Sequence, residues 1–423
     1  MGVGLRVLVV GSGGREHALC WKIRQSPRCG ALYAAPGNPG MAPLAEIVDI
    51  PAREVGRIAD WADERRIDLV VVGPDDPLAL GIVDELEARG VRVFGPTRAA
   101  AQIEWSKSWA RRLCIEADVP VPDSGSFDDQ SAAHRYVDSR PPGLVVKADG
   151  LAAGKGTTVC RTQMEAHAAI DRAMRGRAFG AAGAVIVIEE MLSGFEVSVS
   201  AICDGSTYRM LPYACDHKAL CDGDRGPNTG GMGTHSPPAG LAPASEREIE
   251  LRVVAPLVRA MARIGRPFRG FLYPGVFVTP SGVKVFEINA RLGDPEAQVI
   301  LPRLDGDLLE LMGVATDGNL ARVSPVLPLS DGAACCVVLA SAGYPESAQS
   351  GIPISGDLTD RPSLLHFHAG TRAAGDGLAT GGGRVLGVTG LGTDLAAARD
   401  RAYAGVAAVG FAGMQFRRDI GQR

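Results

Sequence analysis

The first hundred residues alternate short β-branched runs with helical patterns, and this alternation constrains the fold more than any other feature of the chain. The pattern predicts strands at Arg6–Val10, Ala31–Ala35, Leu69–Val72 and Val91–Phe94, and helices at Val55–Arg65 and Gly81–Arg89. Strands that alternate with helices form a doubly wound parallel sheet, so the predicted fold class is α/β. Ligands bind such sheets at the carboxyl ends of the strands.

The composition limits the classes of partner. A chain of 423 residues exceeds what one hydrophobic core usually serves, so several packed units are expected. A formal net charge of -4 gives no global attraction for nucleic acid or for an anionic membrane. No apolar run reaches membrane-spanning length, and the nine cysteines form no C-x-x-C pair. We therefore predict a cytoplasmic protein with reduced thiols, whose anionic ligands are held by local sites.

The chain divides into four predicted units. Paired strands around a Gly-rich loop at about 123–190 predict a small separate lobe. Longer strands, among them one over Glu196–Cys203, and helices at 193–326 predict a body on which the lobe closes when nucleotide binds. The Pro-containing stretch Val323–Pro328 predicts a linker to a last unit. The predicted boundaries are 1–101, 102–192 with the lobe at about 123–192, 193–326 and 327–423.

The first motif is a Gly-rich turn, Gly11–Glu16, between the first strand and the first helix. Amides at a helix N-terminus suit a phosphate group. A dinucleotide site needs a third glycine where Glu16 stands and an acid after the second strand, which instead ends in Ala35–Pro36. A dehydrogenase is therefore disfavoured, and a tight turn without a ligand remains the alternative.

The segment Lys147–Gly156 carries the strongest nucleotide signal. A strand delivers Lys147, and a flexible loop offers backbone amides and Lys155 to phosphate oxygens. Only three residues separate Gly150 from Gly154, and a strand follows where a Walker A loop needs a helix, so kinases and motor-type NTPases are excluded. A Gly-rich hairpin with surface lysines is the alternative.

The apolar strand at 185–192 ends this lobe. The backbone groups at its end are expected to recognise an adenine edge. Glu190 or Glu196 would then hold the ribose. A core strand followed by a solvated acidic turn is the competing interpretation.

The segment Phe286–Glu296 predicts a metal site. The period of two in a strand places Glu287, Asn289 and Arg291 on one face, while Phe286 and Ile288 pack inward. Carboxylate and amide oxygens are ligands that Mg²⁺ accepts beside nucleotide phosphates. Arg291 is suited to clamp an oxyanion where an acyl phosphate forms. The alternative is a half-exposed strand with polar outer residues.

The loop from Asp216 to Gly233 is too long and Gly-rich for a mere connection, and we expect it to shape an acceptor pocket. His217 lies in this loop. No second histidine is close to it in the predicted site, so the sequence gives no reason to predict zinc.

Six segments, in this order and spacing, resemble the phosphoribosylamine-glycine ligase family, which are ATP-grasp ligases of de novo purine synthesis. They are Val9–Ala18, Lys147–Gly156, Gly226–Gly233, Gly293–Glu296, His368–Thr371 and Gly381–Arg384. The resemblance covers essentially the whole chain. It implies an N-terminal parallel-sheet domain, an α+β ATP-grasp core of small lobe and body, and a C-terminal mixed α/β domain. It also implies a monomer.

The resemblance further implies ligation of glycine to 5-phosphoribosylamine through glycyl phosphate, giving glycinamide ribonucleotide, ADP and phosphate. The implied catalytic residues are Arg291, Lys147, Asp216 and Lys218, and the implied ligands of Mg²⁺ or Mn²⁺ are Glu287 and Asn289. The implied ATP-binding residues are Lys107, Lys147, Gly154, Lys155, Gly156, Glu189, Glu190, Met191, Leu192 and Glu196. The implied substrate-binding residues are Gly11, Gly13, Gly14, Arg15, Glu16, Asn38, Pro74, Asp75, Asp216, Lys218, Asn228, Gly230, Arg291, Gly293 and Asp294.

Several positions depart from the family pattern. Trp105 stands where Gly is usual, Ala219 where Arg is usual and Arg225 where Thr is usual, and Ala290 and Leu292 stand where Cys and Phe are common. A paralogous ligase with another amino acid or amine acceptor in a specialised pathway is therefore the alternative enzyme. A nucleotide-binding protein without catalysis is the alternative from another class, and the joint presence of the lysines and metal-site residues argues against it.

Overall fold

The computed structural model describes residues 4–151 and 156–422. Its first unit has five strands and five α-helices: β1 (Leu5–Gly11), β2 (Cys29–Pro36), β3 (Glu46–Ile47), β4 (Leu69–Val72), β5 (Val93–Phe94), α1 (Gly14–Arg24), α2 (Val55–Glu64), α3 (Asp75–Leu80), α4 (Ile82–Ala88) and α5 (Arg98–Trp105). All strand pairs are parallel, in the order β3-β2-β1-β4-β5, which confirms the predicted sheet. Val7–Val10 and Leu69–Val72 are buried throughout, as expected for parallel strands that are covered on both faces.

A four-stranded antiparallel sheet with three helices follows: α6 (Lys107–Glu116), β6 (Ser124–Phe127), α7 (Gln130–Asp138), β7 (Leu144–Ala148), β8 (Thr157–Cys160), α8 (Gln163–Ile170) and β9 (Ile186–Glu190), in the strand order β6-β9-β7-β8. Helices α7 and α8 cover one face, where Val146 and Ile188 pack against Val137 and Ile170. Because side chains alternate along a strand, Lys147 and Glu189 lie on the opposite face, which is open to the rest of the molecule.

The third part contains nine strands and four α-helices: β10 (Phe195–Ser198), β11 (Ala201–Asp204), β12 (Tyr208–Met210), β13 (Cys215–Asp216), β14 (Ala219–Cys221), β15 (Arg225–Asn228), β16 (Gly233–Ser236), α9 (Pro243–Ile249), α10 (Ala255–Arg263), β17 (Arg269–Thr279), β18 (Gly282–Asn289), α11 (Ala297–Arg303) and α12 (Leu308–Thr316). A π-helical segment, Glu250–Val254, joins α9 to α10. The long strand β17 is central, with β10, β11 and β18 paired to it.

The sequence pattern predicted one strand over Glu196–Cys203, and this prediction was wrong. The segment forms two strands, β10 and β11, which pair with different halves of β17. The break lies opposite Pro274, which has no N–H to donate to a continuous ladder.

The last unit is built from β19 (Ala333–Ala340), β20 (Pro353–Gly356), β21 (Leu364–His368), β22 (Thr371–Ala374), β23 (Gly377–Thr380), β24 (Arg384–Gly392), α13 (Leu395–Ala407) and β25 (Val409–Gly410). One sheet, β13-β16-β19-β24-β21, combines strands of this unit with strands of the preceding one. Strand β16 pairs with β13 on one side and β19 on the other. The final unit is therefore joined by backbone hydrogen bonds to the loop predicted to shape the acceptor pocket.

One hydrophobic core holds the N-terminal sheet, the body and the last unit together. It contains Val9 of β1 and Leu19 of α1, Ile300 and Leu309 of α11 and α12, and Phe367 of β21. The carboxyl ends of β1 and β4 therefore have a fixed position relative to the body and to β21. Within the parts of the chain that the structure describes, no helix has the length and apolar character needed to cross a membrane.

Candidate active site

Two lysines of the predicted phosphate site lie close together. Lys107 opens α6 directly after its N-cap residue Ser106, and its Nζ donates to the carbonyl oxygen of Gly150 at 3.3 Å. Lys147 on β7 donates through Nζ to the carbonyl oxygen of Phe286 at 2.6 Å. Burial and the charge of Lys147 lower the pKa of Lys107, although Glu287 opposes this. The two ammonium groups thus form a concentrated positive site beside β18.

Of the three loop residues predicted to bind ATP, only one lies in the described part of the chain. Gly154 and Lys155 lie outside the described residues. Gly156 is described, and its carbonyl oxygen accepts a hydrogen bond from the Ala148 amide at 2.8 Å. This bond extends the β7–β8 hairpin to the edge of the loop.

Glu189 is buried between two cations. Its Oε2 lies 2.7 Å from Lys147 Nζ, and its Oε1 is paired with Arg111, which the sequence did not single out. Arg111 also donates to the carbonyl oxygen of Val285 at 3.0 Å. The Glu189 side chain therefore orients Lys147, and only its backbone is left for a nucleotide.

The predicted adenosine-binding residues separate into two groups. Glu190 is half-exposed at the end of β9, where it pairs with Lys284 and accepts from the Asp123 amide at 3.2 Å. The Met191 amide next to it donates to the Gly143 carbonyl oxygen at 2.9 Å, and Leu192 is half-buried. Glu196 belongs to the second group, around Lys218.

Lys218 bridges two acids at the centre of the cleft. Its Nζ lies 2.5 Å from Glu196 Oε1 and 3.0 Å from Glu287 Oε1. Burial alone would raise the pKa of Glu287, but Lys218, Lys147 and Lys107 outweigh it and lower this pKa to about 2. Glu287 is therefore ionised at neutral pH and is available as an oxygen ligand.

Phe286 was predicted to pack inward with Ile288, and for Phe286 this was wrong. The pairing of β17 with β18 shifts between Gly275 and Val276, so Phe286 is an extra residue in a β-bulge. The bulge places its ring in the cleft, with the Nζ atoms of Lys218 and Lys147 at 4.5 and 5.6 Å from the ring centroid. Ile288 is buried as predicted.

Arg291 lies just beyond β18 and is held by an acid that the sequence did not identify. Its NH2 lies 2.9 Å from Glu104 Oε1 and donates to Asn289 Oδ1 at 3.2 Å. Burial raises the pKa of Glu104 to about 7 although Arg291 opposes the rise. Asp75 at the start of α3, preceded by its N-cap Pro74, is half-buried; partial desolvation would raise its pKa, but Arg291 and Arg15 lower it.

The Gly-rich turn is closed by its own glutamate. Glu16 Oε2 accepts from the Gly13 amide at 2.6 Å, and a Cβ atom at Gly11, where φ is +125°, would lie 2.5 Å from Glu16 Cγ. The Arg15 amide donates to Asp294 Oδ2 at 3.2 Å, and its guanidinium donates to the carbonyl oxygen of Leu292. Glu16 is thus enclosed in the turn, and Asp294 occupies part of the N-terminus of α1.

Asn38 connects the turn to the last unit. Its Nδ2 donates to the carbonyl oxygens of Ser12 at 2.9 Å and His368 at 2.8 Å, and its Oδ1 accepts from the Gly40 amide. Because all three of these bonds are within the protein, Asn38 fixes the shape of the turn and of the adjoining segment.

The predicted acceptor loop, Asp216–Gly233, is linked to Asp294 by Arg384 of the last unit. Arg384 NH1 donates to the carbonyl oxygens of Gly230 and Asp294, and its NH2 lies 3.5 Å from Asp294 Oδ1. The sequence named Gly381–Arg384 as a signature segment but gave Arg384 no role. Burial and the nearby Glu296 raise the pKa of Asp216 well above its usual range. Asn228 instead lies on the exposed β14–β15 hairpin.

A buried polar network next to Gly293 was also not predicted as part of the site. Glu296 accepts from Tyr273, and Ser198 Oγ donates to Glu296 Oε1 at 3.1 Å. A Cβ at Gly293 would lie 2.2 Å from Glu296 Oε2, so only glycine fits there. Glu296 is the last residue of the segment Gly293–Glu296, and its presence there could have indicated this role.

The expectation that His217 has no second histidine nearby was wrong. His235 Nδ1 lies 3.4 Å from His217 Nε2, because β16 returns antiparallel to β13. The two histidines are 18 residues apart in the sequence, so local spacing did not indicate that they meet.

The three main departures from the family pattern occupy different environments. Trp105 packs against the core of the body at the end of α5. The backbone oxygen of Ala219 accepts from Arg417 NH1 at 3.1 Å. Arg225 is exposed, and its Nε donates to the Asp222 carbonyl oxygen at 3.2 Å. Arg417 is 1% exposed. Its guanidinium therefore lies against the backbone at the position where the side chain of Ala219 carries no charge.

Taken together, these contacts create two adjacent chemical environments. Lys107, Lys147 and Lys218 surround Glu287 and suit a polyphosphate with a divalent cation. Arg291, held by its acid, suits an oxyanion. The arrangement supports phosphoryl transfer to a carboxylate by positioning and charge neutralisation.

Comparison with known families gives three matches in chain order. The N domain of phosphoribosylglycinamide synthetase matches residues 5–104, its ATP-grasp (A) domain matches residues 105–297, and its C domain matches residues 334–423. The Glu287 strand and the three lysines all lie within the ATP-grasp match.

Full-length relatives show the same relationship. The chain is 46% identical to a phosphoribosylamine–glycine ligase of Mesorhizobium japonicum over 99% of this chain and 98% of that one. It is 45% identical to one of Rhodopirellula baltica over 99% and 97%. A crystal structure of phosphoribosylamine–glycine ligase from Thermotoga maritima is similar with a TM-score of 0.86 and 30% identity, over 98% and 100% of the two chains.

A more distant structure shares the fold alone. It is the biotin carboxylase domain of Hydrogenobacter thermophilus 2-oxoglutarate carboxylase, which was determined with MgADP and bicarbonate. Its TM-score is 0.74 at 17% identity, over 98% of this chain and 92% of that one. The predicted ATP-grasp fold class is thereby confirmed.

Proposed function

Because the chain belongs to the phosphoribosylglycinamide synthetase family, we propose that it ligates glycine to 5-phosphoribosylamine at the expense of ATP. The products are glycinamide ribonucleotide, ADP and phosphate, and the reaction is the second step of de novo purine biosynthesis. The observation that carries this proposal is that all three domains of the family match this chain in order. The cleft of this chain also contains the expected cations and acids.

ATP is the nucleotide of this family, and we place it between the small lobe and the body. Lys107 and Lys147 face the phosphates, and Gly154, Lys155 and Gly156 would cover them. The backbone from Glu189 to Leu192 faces the adenine, with Glu190 and Glu196 on the ribose side. The support for this placement is that Lys147 is held by Glu189 on the open face of the lobe.

We propose that a divalent cation, Mg²⁺ or Mn²⁺, would be held by Glu287 and Asn289. Glu287 is ionised, faces the cleft and lies among lysines, and Asn289 on the same strand has an amide oxygen that accepts from Arg291 NH2 and would have to share this contact with the ion. When bound, such an ion would neutralise phosphate charge during phosphoryl transfer. Lys218 pairs with Glu287 and would have to shift its contact toward Glu196 when an ion binds.

The chemistry needs no side-chain nucleophile. A carboxylate oxygen of glycine attacks the γ-phosphorus, the bond from that phosphorus to the bridging oxygen breaks, and ADP leaves. The nitrogen of phosphoribosylamine then attacks the carbonyl carbon of glycyl phosphate, its C–O bond breaks, and phosphate leaves with the nitrogen releasing a proton. Arg291 holds the acyl phosphate oxygens, and Asp216 and Lys218 border the reacting groups.

The amine substrate lies where the N-terminal sheet meets the body. We propose that the phosphoribosyl group contacts the Gly11, Gly13 and Gly14 turn with Arg15, Pro74, Asp75, Gly230, Gly293 and Asp294. Glu16 and Asn38 act here by fixing the turn, because their polar atoms are engaged within the protein. Asn228 would have to approach from its exposed hairpin.

Another acceptor is not favoured. The family is matched along nearly the full chain, and the exposed Arg225 does not enter the described contacts of Arg291 or Asp294. The monomeric state and a cytoplasmic location remain predictions.

The test is ADP release with Mg²⁺, ATP, glycine and freshly generated phosphoribosylamine, with each component omitted in turn and the product identified by mass. ADP formation that needs every component and yields glycinamide ribonucleotide supports the proposal. Turnover with other amines but not with phosphoribosylamine would contradict it.

A further inference from the structure

A second group of potential metal ligands lies on the acceptor loop, apart from Glu287 and Asn289. Strands β13 and β16 pair antiparallel with Cys215 opposite His235, and His217 follows β13 by one residue. One donor atom from each of Cys215, His217 and His235 lies within 4.8 Å of the other two. No other group of three such residues was found in the described chain.

The spacing of the two imidazoles suits a shared ion better than a hydrogen bond. His217 Nε2 and His235 Nδ1 are 3.4 Å apart, which exceeds the common N–H···acceptor distance. Two nitrogens bound tetrahedrally to one zinc ion at about 2.0–2.1 Å would be about 3.4 Å apart. The geometry is therefore close to that of two zinc ligands before any movement.

Both histidines are buried. His217 and His235 are 7% and 1% exposed, so an ion held between their facing nitrogens would be largely shielded from solvent. Neutral imidazole nitrogen is the ligating form of histidine, and a bound cation would stabilise the Cys215 thiolate.

We propose that Cys215, His217 and His235 bind one Zn²⁺ ion or a similar borderline-soft divalent ion, with water as a fourth ligand. Thiolate sulfur and imidazole nitrogen are ligands typical of zinc, whereas Mg²⁺ prefers oxygen. Asp224 Oδ1 lies 4.0 Å from His217 Nδ1 and 2.8 Å from Arg417 NH1, so a carboxylate and a guanidinium lie next to the proposed site.

The position of this site gives it a structural role. His217 is flanked in sequence by Asp216 and Lys218, which border the proposed reaction centre. An ion bound to β13 and β16 would fix the strand that carries both residues. The site shares no ligand with the proposed Mg²⁺ position, so the two can be filled separately.

The test is a titration of untagged, metal-free protein with Co²⁺, followed by competition with Zn²⁺. The expected result is one equivalent of tightly bound Co²⁺ with a thiolate charge-transfer band that Zn²⁺ abolishes. Cys215→Ser should remove the band, and His235→Gln should weaken binding by at least about tenfold. Cys221→Ser is the matched control, because Cys221 is the exposed thiol of the same loop, and it should bind as the wild type does.

Three results would overturn the proposal. They are wild-type protein that takes up less than one equivalent, a thiolate band that survives Cys215→Ser, or binding that is lost with Cys221→Ser. Circular dichroism checks that each variant is folded. If Cys215→Ser does not fold, wild-type stoichiometry together with the His235→Gln affinity decides the question.

Discussion

Single residues at the centre of the site act through their partners. Arg291 is positioned by Glu104 at 2.9 Å, and Lys147 by Glu189 at 2.7 Å. Buried charges of this kind are costly unless they are paired, so loss of one partner affects the other directly. Glu104 and Glu189 are therefore positioning residues for the two cations proposed to contact reacting groups.

Glu104→Gln should lower kcat by about 10- to 100-fold and change the KM for ATP much less, because Arg291 loses its ionic partner. The pKa of Glu104 is about 7, so the Arg291 pair weakens as pH falls below 7. A rise in wild-type kcat through pH 7 that is absent in the variant would identify the pair. An unchanged pH profile in Glu104→Gln would count against this positioning role.

His17→Asn should reduce the loss of stability in acid. Burial and His368 lower the pKa of His17 from 6.5 to about 3, so the folded state holds this side chain neutral. Its contribution to stability is present above pH 6.5 and is lost as pH falls toward 3, at about 1.4 kcal/mol per pH unit for one proton. Asn retains an acceptor for the His368 amide but cannot titrate.

Urea unfolding at pH 7.0 and 5.5 measures this effect. The wild type should lose more free energy of unfolding between the two conditions than His17→Asn loses. Equal losses would show that His17 does not contribute to the acid sensitivity.

At the scale of elements, the sequence predicts what depends on the chain itself and misses what depends on a partner strand. The runs at Val7–Val10 and Leu69–Val72 predicted buried parallel strands because both faces are apolar. The bulge at Phe286 depends on how β18 pairs with β17, and the meeting of His217 with His235 depends on the return of β16. Neither can be predicted from local periodicity.

The Gly-rich acceptor loop is held by close backbone packing. At Gly231, where φ is +111°, a Cβ would lie 2.5 Å from Pro295 Cδ and 2.7 Å from Asp216 Oδ1. Gly231→Ala should therefore destabilise the fold by about 1–3 kcal/mol and lower ligase activity by displacing Asp216.

Gly240→Ala is the matched control for Gly231→Ala. Its φ is +78°, but nothing lies within 4 Å of the added Cβ. Urea unfolding should show the smaller, conformational cost at Gly240, with activity preserved. Equal effects of the two variants would contradict the packing argument.

At the scale of the whole molecule, the site is complete only when all parts of the chain are present. Arg15 comes from the first helix of the N-terminal unit, Lys147 from the lobe, Glu287 from the body and Arg384 from the last unit. The sheet β13-β16-β19-β24-β21 fixes the last unit to the acceptor loop. The alternation of elements predicted the separate units. It did not indicate that strands of two different units form one sheet.

Arg384→Ala should impair the amine substrate more than ATP. The guanidinium joins Gly230 to Asp294 across the boundary between the loop and the body. Its removal should lower kcat/KM for phosphoribosylamine by about tenfold or more, with a small change in the KM for ATP. Arg372→Ala, at an exposed position of the same unit, should have no such effect. A selective rise in the KM for ATP in Arg384→Ala would contradict this assignment.

In the proposed reaction, glycine is activated by ATP as an acyl phosphate and then joined to phosphoribosylamine. The most direct measurement supplies glycine labelled with oxygen-18 in its carboxylate, together with ATP, Mg²⁺ and phosphoribosylamine, and analyses the products by mass. Activation through an acyl phosphate predicts one labelled oxygen in the released phosphate, one in glycinamide ribonucleotide and none in ADP. Unlabelled phosphate formed together with glycinamide ribonucleotide would contradict the acyl phosphate, and the absence of glycinamide ribonucleotide would contradict the ligation itself.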